Sequence, residues 1–144
     1  MTQESKAAPA GYPAEVRKTE QEWKTQLGPE RYHVLREAAT EAPFTGSLLN
    51  LRDDGTYACG ACGAALFSSD SKFESHCGWP SFTHPHEQEN VRLLDDDSFG
   101  MRRTEVRCKR CDSHLGHVFD DGPGPRGTRY CINSRALDFH GKSS

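Results

Sequence analysis

Hydrophobic residues follow two different spacings along the chain, and the change occurs near residue 40. Between Thr19 and Ala38 they recur at helical intervals, whereas from Phe44 onward they form short runs separated by frequent turn residues. The short runs that predict strands are residues 56–58, 65–67, 104–107 and 129–132. The pattern predicts a mainly β protein, a β-rich α+β fold in which a helical N-terminus precedes an antiparallel sheet.

The helical segment carries start and stop signals. Thr19 and Glu22 have the spacing of a capping box, which predicts a short helix that ends at Gly28. Pro29 then favours the first turn of a second helix, over residues 29–38. We therefore expect two short helices ahead of the sheet.

Composition limits the size of the hydrophobic core. Only 34% of the 144 residues are hydrophobic and 27% are charged. A domain with so small a core often needs a metal or a covalent cross-link. Residues 1–18, rich in Ala, Pro and small polar residues, predict a flexible tail ahead of a single domain over residues 19–144.

Charge and hydropathy exclude several classes of partner. The formal net charge is -3 and no concentrated Lys/Arg stripe is present, which argues against nucleic acid. No run of about 18 apolar residues exists that would enter a membrane, and the first ten residues lack the apolar core of a secretory signal. We expect a cytoplasmic protein, and a monomer because nothing indicates an obligate assembly. In a reducing compartment, paired cysteines indicate metal ligands or redox catalysts.

Four of the six cysteines form two matched Cys-x-x-Cys motifs. The first motif is Cys59 with Cys62, and the second is Cys108 with Cys111. Two intervening residues let both thiolates reach one tetrahedral ion, and four thiolates leave no open position. The spacing predicts one structural Zn²⁺, while an iron–sulfur cluster, redox-active dithiols and disulfides remain alternatives. The metal site by itself does not reveal a function.

The two remaining cysteines, Cys77 and Cys131, are candidates for chemistry. Cys131 lies on a predicted strand between Arg129 and Asn133, and strand alternation places these three side chains on one face. The guanidinium favours a thiolate at Cys131, and the amide suits a polar substrate group; a buried core cysteine is the alternative. Cys77 opens an irregular Cys-Gly-Trp-Pro loop that presents Trp79 either to a substrate or to the core.

Two histidines follow the second cysteine motif. Because four thiolates already fill a tetrahedral site, His114 and His117 are better candidates for acid–base or substrate contacts than for ligands. A pair of surface or core histidines is the alternative. The acidic run at residues 95–97 predicts a solvated turn.

Taken in order, six segments resemble the B-type methionine sulfoxide reductases. They are Pro-Phe-Thr-Gly at 43–46, the first cysteine motif, Cys-Gly-Trp-Pro-Ser-Phe at 77–82, the second cysteine motif, His-Leu-Gly-His-Val-Phe at 114–119 and Arg-Tyr-Cys-Ile-Asn-Ser at 129–134. The resemblance implies two small antiparallel sheets, a structural zinc far from the chemistry, and a peptide-methionine (R)-S-oxide reductase. Its substrates would be oxidised proteins carrying methionine-R-sulfoxide, and thioredoxin would be its reductant, in protein repair under oxidative stress.

The resemblance also implies residue roles. Cys131 matches the nucleophile, which becomes a sulfenic acid, and Cys77 matches the cysteine that resolves it to a disulfide. His117 and Asn133 match further catalytic positions. The matching substrate-binding positions are Trp79, His114, Phe119, Arg129 and Asp121, the last an acid expected to orient a histidine. His76 and Arg135 depart from the family pattern, which has smaller residues at both positions.

Two other classes of protein also fit the residues. A zinc-ribbon interaction module would use the paired cysteine motifs as a scaffold and would need neither Cys77 nor Cys131. A zinc-dependent hydrolase would need an open metal position, which four thiolates do not leave.

Overall fold

The computed structural model describes residues 14–86, 90–97, 100, 102–123 and 127–141. Most of the predicted tail therefore lies outside the described residues. Its last residues contact the second cysteine motif, where the Val16 N–H donates to the Arg110 carbonyl at 2.8 Å and Glu15 pairs with the Arg110 guanidinium at 3.5 Å. Among all the residues that the structure describes, no helix is long and apolar enough to cross a membrane.

One helical element, α1 (Glu20–Glu37), contains both predicted helices. The Thr19 hydroxyl accepts from the Glu22 N–H at 3.1 Å, and the Glu22 carboxylate accepts from the Thr19 N–H at 2.9 Å. This is the predicted capping box. The predicted break is also present, because Gly28 has a φ of 81° and kinks the element.

Within the described residues, nine strands form two antiparallel sheets, which confirms the predicted fold class. The smaller sheet has the order β2–β1–β9, with β1 Gly55–Cys59, β2 Ala65–Ser68 and β9 Leu137–Gly141. The larger sheet has the order β3–β4–β8–β7–β6–β5, with β3 Lys72–Phe73, β4 Ser81–Phe82, β5 Val91–Asp96, β6 Arg103–Cys108, β7 His114–Phe119 and β8 Arg129–Ile132. The four predicted strands are confirmed as β1, β2, β6 and β8.

The solvated turn expected at residues 95–97 was wrong for the first two of its residues. Asp95 and Asp96 are the last residues of β5, paired with Thr104 and Arg103 of β6. In this edge strand Val91 is buried, whereas Leu93, two residues later on the same face, is exposed. The usual hydrophobic signature of a strand is therefore weak there.

Aromatic rings join the two sheets in the core. Phe67 of β2 stacks on Phe82 of β4 with ring centroids 4.5 Å apart, and Tyr57 of β1 meets the same ring edge-on at 5.1 Å. All three side chains are fully buried. Tyr130 and Ile132 of β8 belong to the same core cluster. Alternation along β8 therefore turns Cys131, which lies between them, to the opposite face of the sheet.

A close approach between β7 and β8 requires a glycine. A Cβ at Gly116 would lie 2.1 Å from the carbonyl oxygen of Cys131, closer than any side chain allows. Gly116 lies opposite Ile132, and the next pair along the two strands is His117 and Cys131. The missing side chain thus permits the strand contact on which the candidate site is built.

Candidate active site

The outer face of the larger sheet carries a row of polar side chains. Cys131 of β8 lies directly opposite His117 of β7 on one side and Ser81 of β4 on the other. His117 in turn lies opposite Glu105 of β6. Directly opposed residues in antiparallel strands share a face, so four functional groups line up across four strands. Arg129 falls on the same face of β8 as Cys131, as the alternation predicted.

Cys77 reaches Cys131 from the irregular loop that precedes β4. The two sulfur atoms are 3.6 Å apart, and both side chains are half-buried. The hydroxyls of Ser75 and Ser81 lie 3.0 and 3.4 Å from the Cys77 sulfur. The loop contains two left-handed residues, His76 with a φ of 63° and Gly78 with a φ of 98°. A residue without a side chain adopts this conformation most easily, so the sequence departure at His76 occurs where the backbone favours glycine.

The two sulfurs lie within hydrogen-bonding distance, so each changes the pKa of the other. The pKa of Cys77 is lowered to about 4, chiefly by its hydrogen bond with the Cys131 sulfur, with the two serine hydroxyls adding to the effect. The pKa of Cys131 is raised by the same hydrogen bond, by burial and by the charge on Cys77, while Arg129 opposes these effects. Arg129 is therefore the group that favours a thiolate at Cys131.

A carboxylate that the sequence analysis missed binds His117. The Nε2 atom of His117 is 2.8 Å from Asp96 Oδ2, and the same oxygen accepts from Arg103 at 3.4 Å. Burial lowers the pKa of His117, and the hydrogen bond to Asp96 opposes that effect. Asp96 reaches this position only because β5 pairs with β6 at the sheet edge. The register in which the edge strand β5 pairs with β6 is the information that would have located Asp96.

His114 belongs to a second, more deeply buried network. Its Nδ1 atom is 2.7 Å from Glu105 Oε2, and that oxygen also accepts from Arg107 at 2.9 Å. Arg107 also forms an ion pair, at 3.3 Å, with Asp112, which follows the second cysteine motif. The Nε2 atom of His114 is buried with no partner in the described part of the chain. The rings of His114 and His117 have centroids 5.5 Å apart, so the motif brings both histidines to one place.

Arg129 is held by Asp121 and Phe119 at the mouth of the site. Its Nε and Nη2 atoms donate to the two Asp121 carboxylate oxygens at 2.8 and 3.2 Å. Its guanidinium also lies over the Phe119 ring, 4.6 Å from the ring centroid. Asp121 therefore contacts Arg129, and the carboxylates that bond to the two histidines are Asp96 and Glu105. An open cleft beside these groups is lined by Phe73, Glu74, Ser75, Cys77, Asp121, Gly122, Pro123 and Arg129.

Trp79 lines an adjoining cavity. Its half-buried ring shares this cavity with Phe44, Gly78 and Ser81, and its Nε1 donates to the Glu41 carbonyl at 2.9 Å. Phe44 and Leu93 are the large hydrophobic residues exposed on the described surface, and Phe44 is the more exposed, with 68% of its area accessible. The rim of the site is thus aromatic.

Asn133 is buried and its amide is used within the chain. The side-chain nitrogen donates to the Leu115 carbonyl at 3.0 Å, and the side-chain oxygen accepts from the Glu41 N–H at 2.9 Å. In this arrangement both amide atoms hold backbone groups, so the structure gives Asn133 a positioning role beside Cys131. Glu41 contacts both Trp79 and Asn133. No motif or spacing in the sequence indicated that it belongs to the site.

The two cysteine motifs converge on one point. All four sulfurs lie within 4.8 Å of one another, with Cys59 and Cys111 at 3.7 Å and Cys62 and Cys108 at 3.5 Å. Four thiolates around a tetrahedral ion would be about 3.8 Å apart at the usual metal–sulfur distance. The donor set and its spacing fit a metal ion with no open coordination position.

The similarity of the chain to known proteins shows its family. The SelR domain matches residues 27–141 of the chain. A protein from Methanosarcina barkeri (strain Fusaro / DSM 804) named "Peptide methionine sulfoxide reductase MsrB" is 58% identical over 124 residues, which cover 86% of this chain and 87% of that protein. A protein of the same name from Leptospira interrogans is 55% identical over 125 residues, covering 87% of this chain and 95% of the relative.

A solved structure shares the fold at low identity. The crystal structure of the Mis18 "Yippee-like" domain aligns with a TM-score of 0.51 at 17% identity, covering 63% of this chain and 99% of that domain. At this identity the likeness concerns the fold alone. The SelR match over most of the chain and the high identity to the MsrB proteins lead to one conclusion: this chain belongs to the SelR domain family, that of the peptide methionine sulfoxide reductases MsrB.

Proposed function

We propose that this protein reduces methionine-R-sulfoxide in oxidised proteins, with Cys131 as the nucleophile. The observation that carries the proposal is the pair of sulfurs 3.6 Å apart on the sheet face where His117 lies opposite Cys131. A nucleophile, an acid and a second thiol are the groups that this reduction needs. The names of the relatives support the same reaction, since they are called peptide methionine sulfoxide reductases.

In the first step the Cys131 thiolate attacks the sulfoxide sulfur while the His117 imidazolium gives a proton to the sulfoxide oxygen. The oxygen passes to Cys131, which becomes a sulfenic acid, and the substrate leaves as methionine. The substrate sulfur gains two electrons and Cys131 loses two. Protonation matters because the oxygen would otherwise carry a full negative charge as its bond to the substrate breaks.

Cys131 must be deprotonated before it attacks. Burial and the neighbouring Cys77 raise the pKa of Cys131, which opposes deprotonation. The Arg129 guanidinium lowers that pKa and so favours the negative charge on Cys131. The Asp121 carboxylate keeps the guanidinium in place for this purpose.

In the second step Cys77 attacks the sulfur of the sulfenic acid, a disulfide forms, and water leaves. A disulfide bond is about 2.05 Å long, so the sulfurs must approach by roughly 1.5 Å. Cys77 lies in the irregular loop between β3 and β4 and not in a paired strand, so the adjustment falls on that loop. An external dithiol such as thioredoxin would then reduce the disulfide by exchange.

We assign the S-methyl group of the substrate to the ring of Trp79. The methyl group and the oxygen then have fixed places, one at the indole and the other at His117, and this would select one epimer. Phe44 at the rim would contact the residues that flank the oxidised methionine, which favours polypeptides as substrates.

The first test is a chiral turnover assay. Reduced protein is incubated with dithiothreitol and a blocked methionine sulfoxide, with each epimer supplied separately. We expect reduction of the R epimer alone, and Cys131→Ser should lower its rate by about a thousandfold or more. Turnover retained in Cys131→Ser would overturn the nucleophile assignment. Reduction of neither epimer by folded, metal-loaded protein would favour an interaction module instead.

The role of Cys77 has its own test. Cys77→Ser should still convert about one equivalent of substrate per enzyme, because Cys131 alone performs the first step. It should lose turnover driven by thioredoxin, because no disulfide forms for the reductant to attack. The measurement is a single-turnover assay beside a thioredoxin-coupled assay, with the unmodified protein as the reference. Full thioredoxin-driven turnover by the variant would contradict the resolving role.

Asp96→Asn tests the proton donor through the pH profile. Asp96 raises the pKa of His117 against the effect of burial, so removing the charge lowers that pKa further. Activity that needs the imidazolium is lost as pH rises through the pKa, and the alkaline limb of kcat/KM should therefore move to lower pH by about one unit. Asp97→Asn is the matched control, since Asp97 is exposed and pairs only loosely with Arg102 at 3.7 Å. An alkaline limb that stays in place in Asp96→Asn would rule out His117 as the acid.

The metal assignment is tested by analysis and removal. We propose zinc, bound by the four cysteines, as a stabilising ion that takes no part in the reaction. Elemental analysis should give one zinc per chain, and chelation or Cys62→Ser should lower the melting temperature by more than about 10 °C because metal binding contributes to folding. Cys77→Ser should leave the metal content unchanged. Iron in the purified protein, or an unaltered melting temperature after chelation, would contradict the assignment.

A further inference from the structure

We infer that Glu41 is a positioning residue that fixes the distance between Trp79 and Cys131 and thereby sets the discrimination between sulfoxide epimers. Glu41 lies in the loop between α1 and β1 and contacts neither sulfur. It acts through four hydrogen bonds that this single residue makes with Trp79, Asn133 and Arg135. The inference rests on the proposed function, because epimer discrimination is a property of that reaction. Its test also includes a readout that does not depend on activity.

The backbone of Glu41 holds two side chains of the site. Its carbonyl accepts from the indole Nε1 of Trp79 at 2.9 Å. Its N–H donates to the side-chain oxygen of Asn133, also at 2.9 Å. Trp79 follows Cys77 by two residues, and Asn133 follows Cys131 by two residues. One peptide segment therefore bridges the two pieces of chain that carry the reacting sulfurs.

The side chain of Glu41 fixes that segment in place. Its Oε1 atom accepts from the Arg135 N–H at 2.9 Å, at the short 3₁₀ turn (Ser134–Ala136) that follows β8. The Arg135 guanidinium adds a contact at 3.3 Å. The carboxylate is therefore tied to the same end of β8 that carries Cys131 and Asn133.

The burial of the Glu41 carboxylate indicates that its contact with Arg135 is needed to position the site. The Glu41 side chain is 0% exposed, and its Oε2 atom has no partner among the described residues. A Cβ at Gly46 would lie 2.5 Å from Oε2, so the loop closes tightly over the group. Burying a carboxylate with one oxygen unsatisfied is costly. Such a cost is consistent with a group that the site requires in one position.

The consequence for the reaction is geometric. The proposed selection of one epimer depends on the indole and the nucleophile keeping a fixed separation while the methyl group and the oxygen take their places. A displacement of about 1 Å at a reacting centre lowers the rate by up to about a hundredfold. Loss of the Glu41 carboxylate should release the loop, move the indole and reduce the preference for one epimer.

The chain offers a matched control for the charge. Arg135 also pairs with Glu30 at 3.6 Å, and Glu30 is 78% exposed on α1. Glu30→Gln removes a carboxylate from the same arginine without touching Trp79 or Asn133. Glu41→Gln keeps an oxygen that accepts from the Arg135 N–H, whereas Glu41→Ala removes it.

The experiment compares Glu41→Ala, Glu41→Gln and Glu30→Gln in a Trp23→Phe background, so that tryptophan emission reports Trp79 alone. Trp23 is buried and its indole nitrogen has no partner among the described residues, so phenylalanine loses no hydrogen bond there. The readouts are kcat and KM for each epimer, the emission maximum, and the zinc content. Reactions with dithiothreitol keep the reductant constant.

We expect Glu41→Ala to lower kcat/KM for the R epimer by about 10- to 100-fold, mainly through kcat, because the indole and the nucleophile are no longer held at one separation. The ratio of R to S turnover should fall, and the emission should shift to longer wavelength as the indole loses its partner. Glu41→Gln should restore most of the ratio and the emission, and Glu30→Gln should match the background protein. Zinc content should be equal in all variants.

A Glu41→Ala protein with an unchanged epimer ratio and unchanged emission would overturn the inference, even if its melting temperature falls. If Glu41→Ala does not fold, Glu41→Asp serves instead, because it keeps the charge and loses the reach to Arg135. If the background protein itself reduces neither epimer, the proposed function fails. The Trp79 emission of the variants then still decides whether Glu41 positions the indole.

Discussion

The pairing of β7 with β8 is the contact on which the site depends. It places His117 opposite Cys131, and Gly116 makes the approach possible by having no side chain against the Cys131 carbonyl. The inner faces of the same two strands pack on the core through Val118 of β7 and through Tyr130 and Ile132 of β8. Packing on one face therefore fixes the register on the other, because a slip of one residue would exchange the two sets of side chains.

The cysteine cluster connects the two sheets at their turns. The first motif begins at Cys59, the last residue of β1, and precedes β2 in the smaller sheet. The second begins at Cys108, the last residue of β6, and precedes β7 in the larger sheet. A metal held by all four sulfurs would pin one hairpin to the other. A chain with so few hydrophobic residues gains from such a link, which adds to the aromatic contacts that Phe82 makes between the sheets.

The sequence predicted the fold class, four strands, the capping box and the cysteines, because each of these has a local signature. Strand β7 was missed because its glycine and two histidines weaken the hydrophobic alternation, and the short strands β3 and β4 offer too few residues for any period. Asp96, Glu105 and Glu41 were missed for a different reason. Their roles come from long-range pairing or from backbone groups in a loop, and neither leaves a periodic pattern in the chain.

The two histidines of one short motif are attached to their carboxylates by different ring atoms. His114 uses Nδ1 and His117 uses Nε2. The ring atom that does not contact the carboxylate is therefore Nε2 in His114 and Nδ1 in His117. Two identical side chains in one strand thus leave different nitrogens for other partners. Glu105 of β6 and Asp96 of β5 decide which nitrogen each ring keeps.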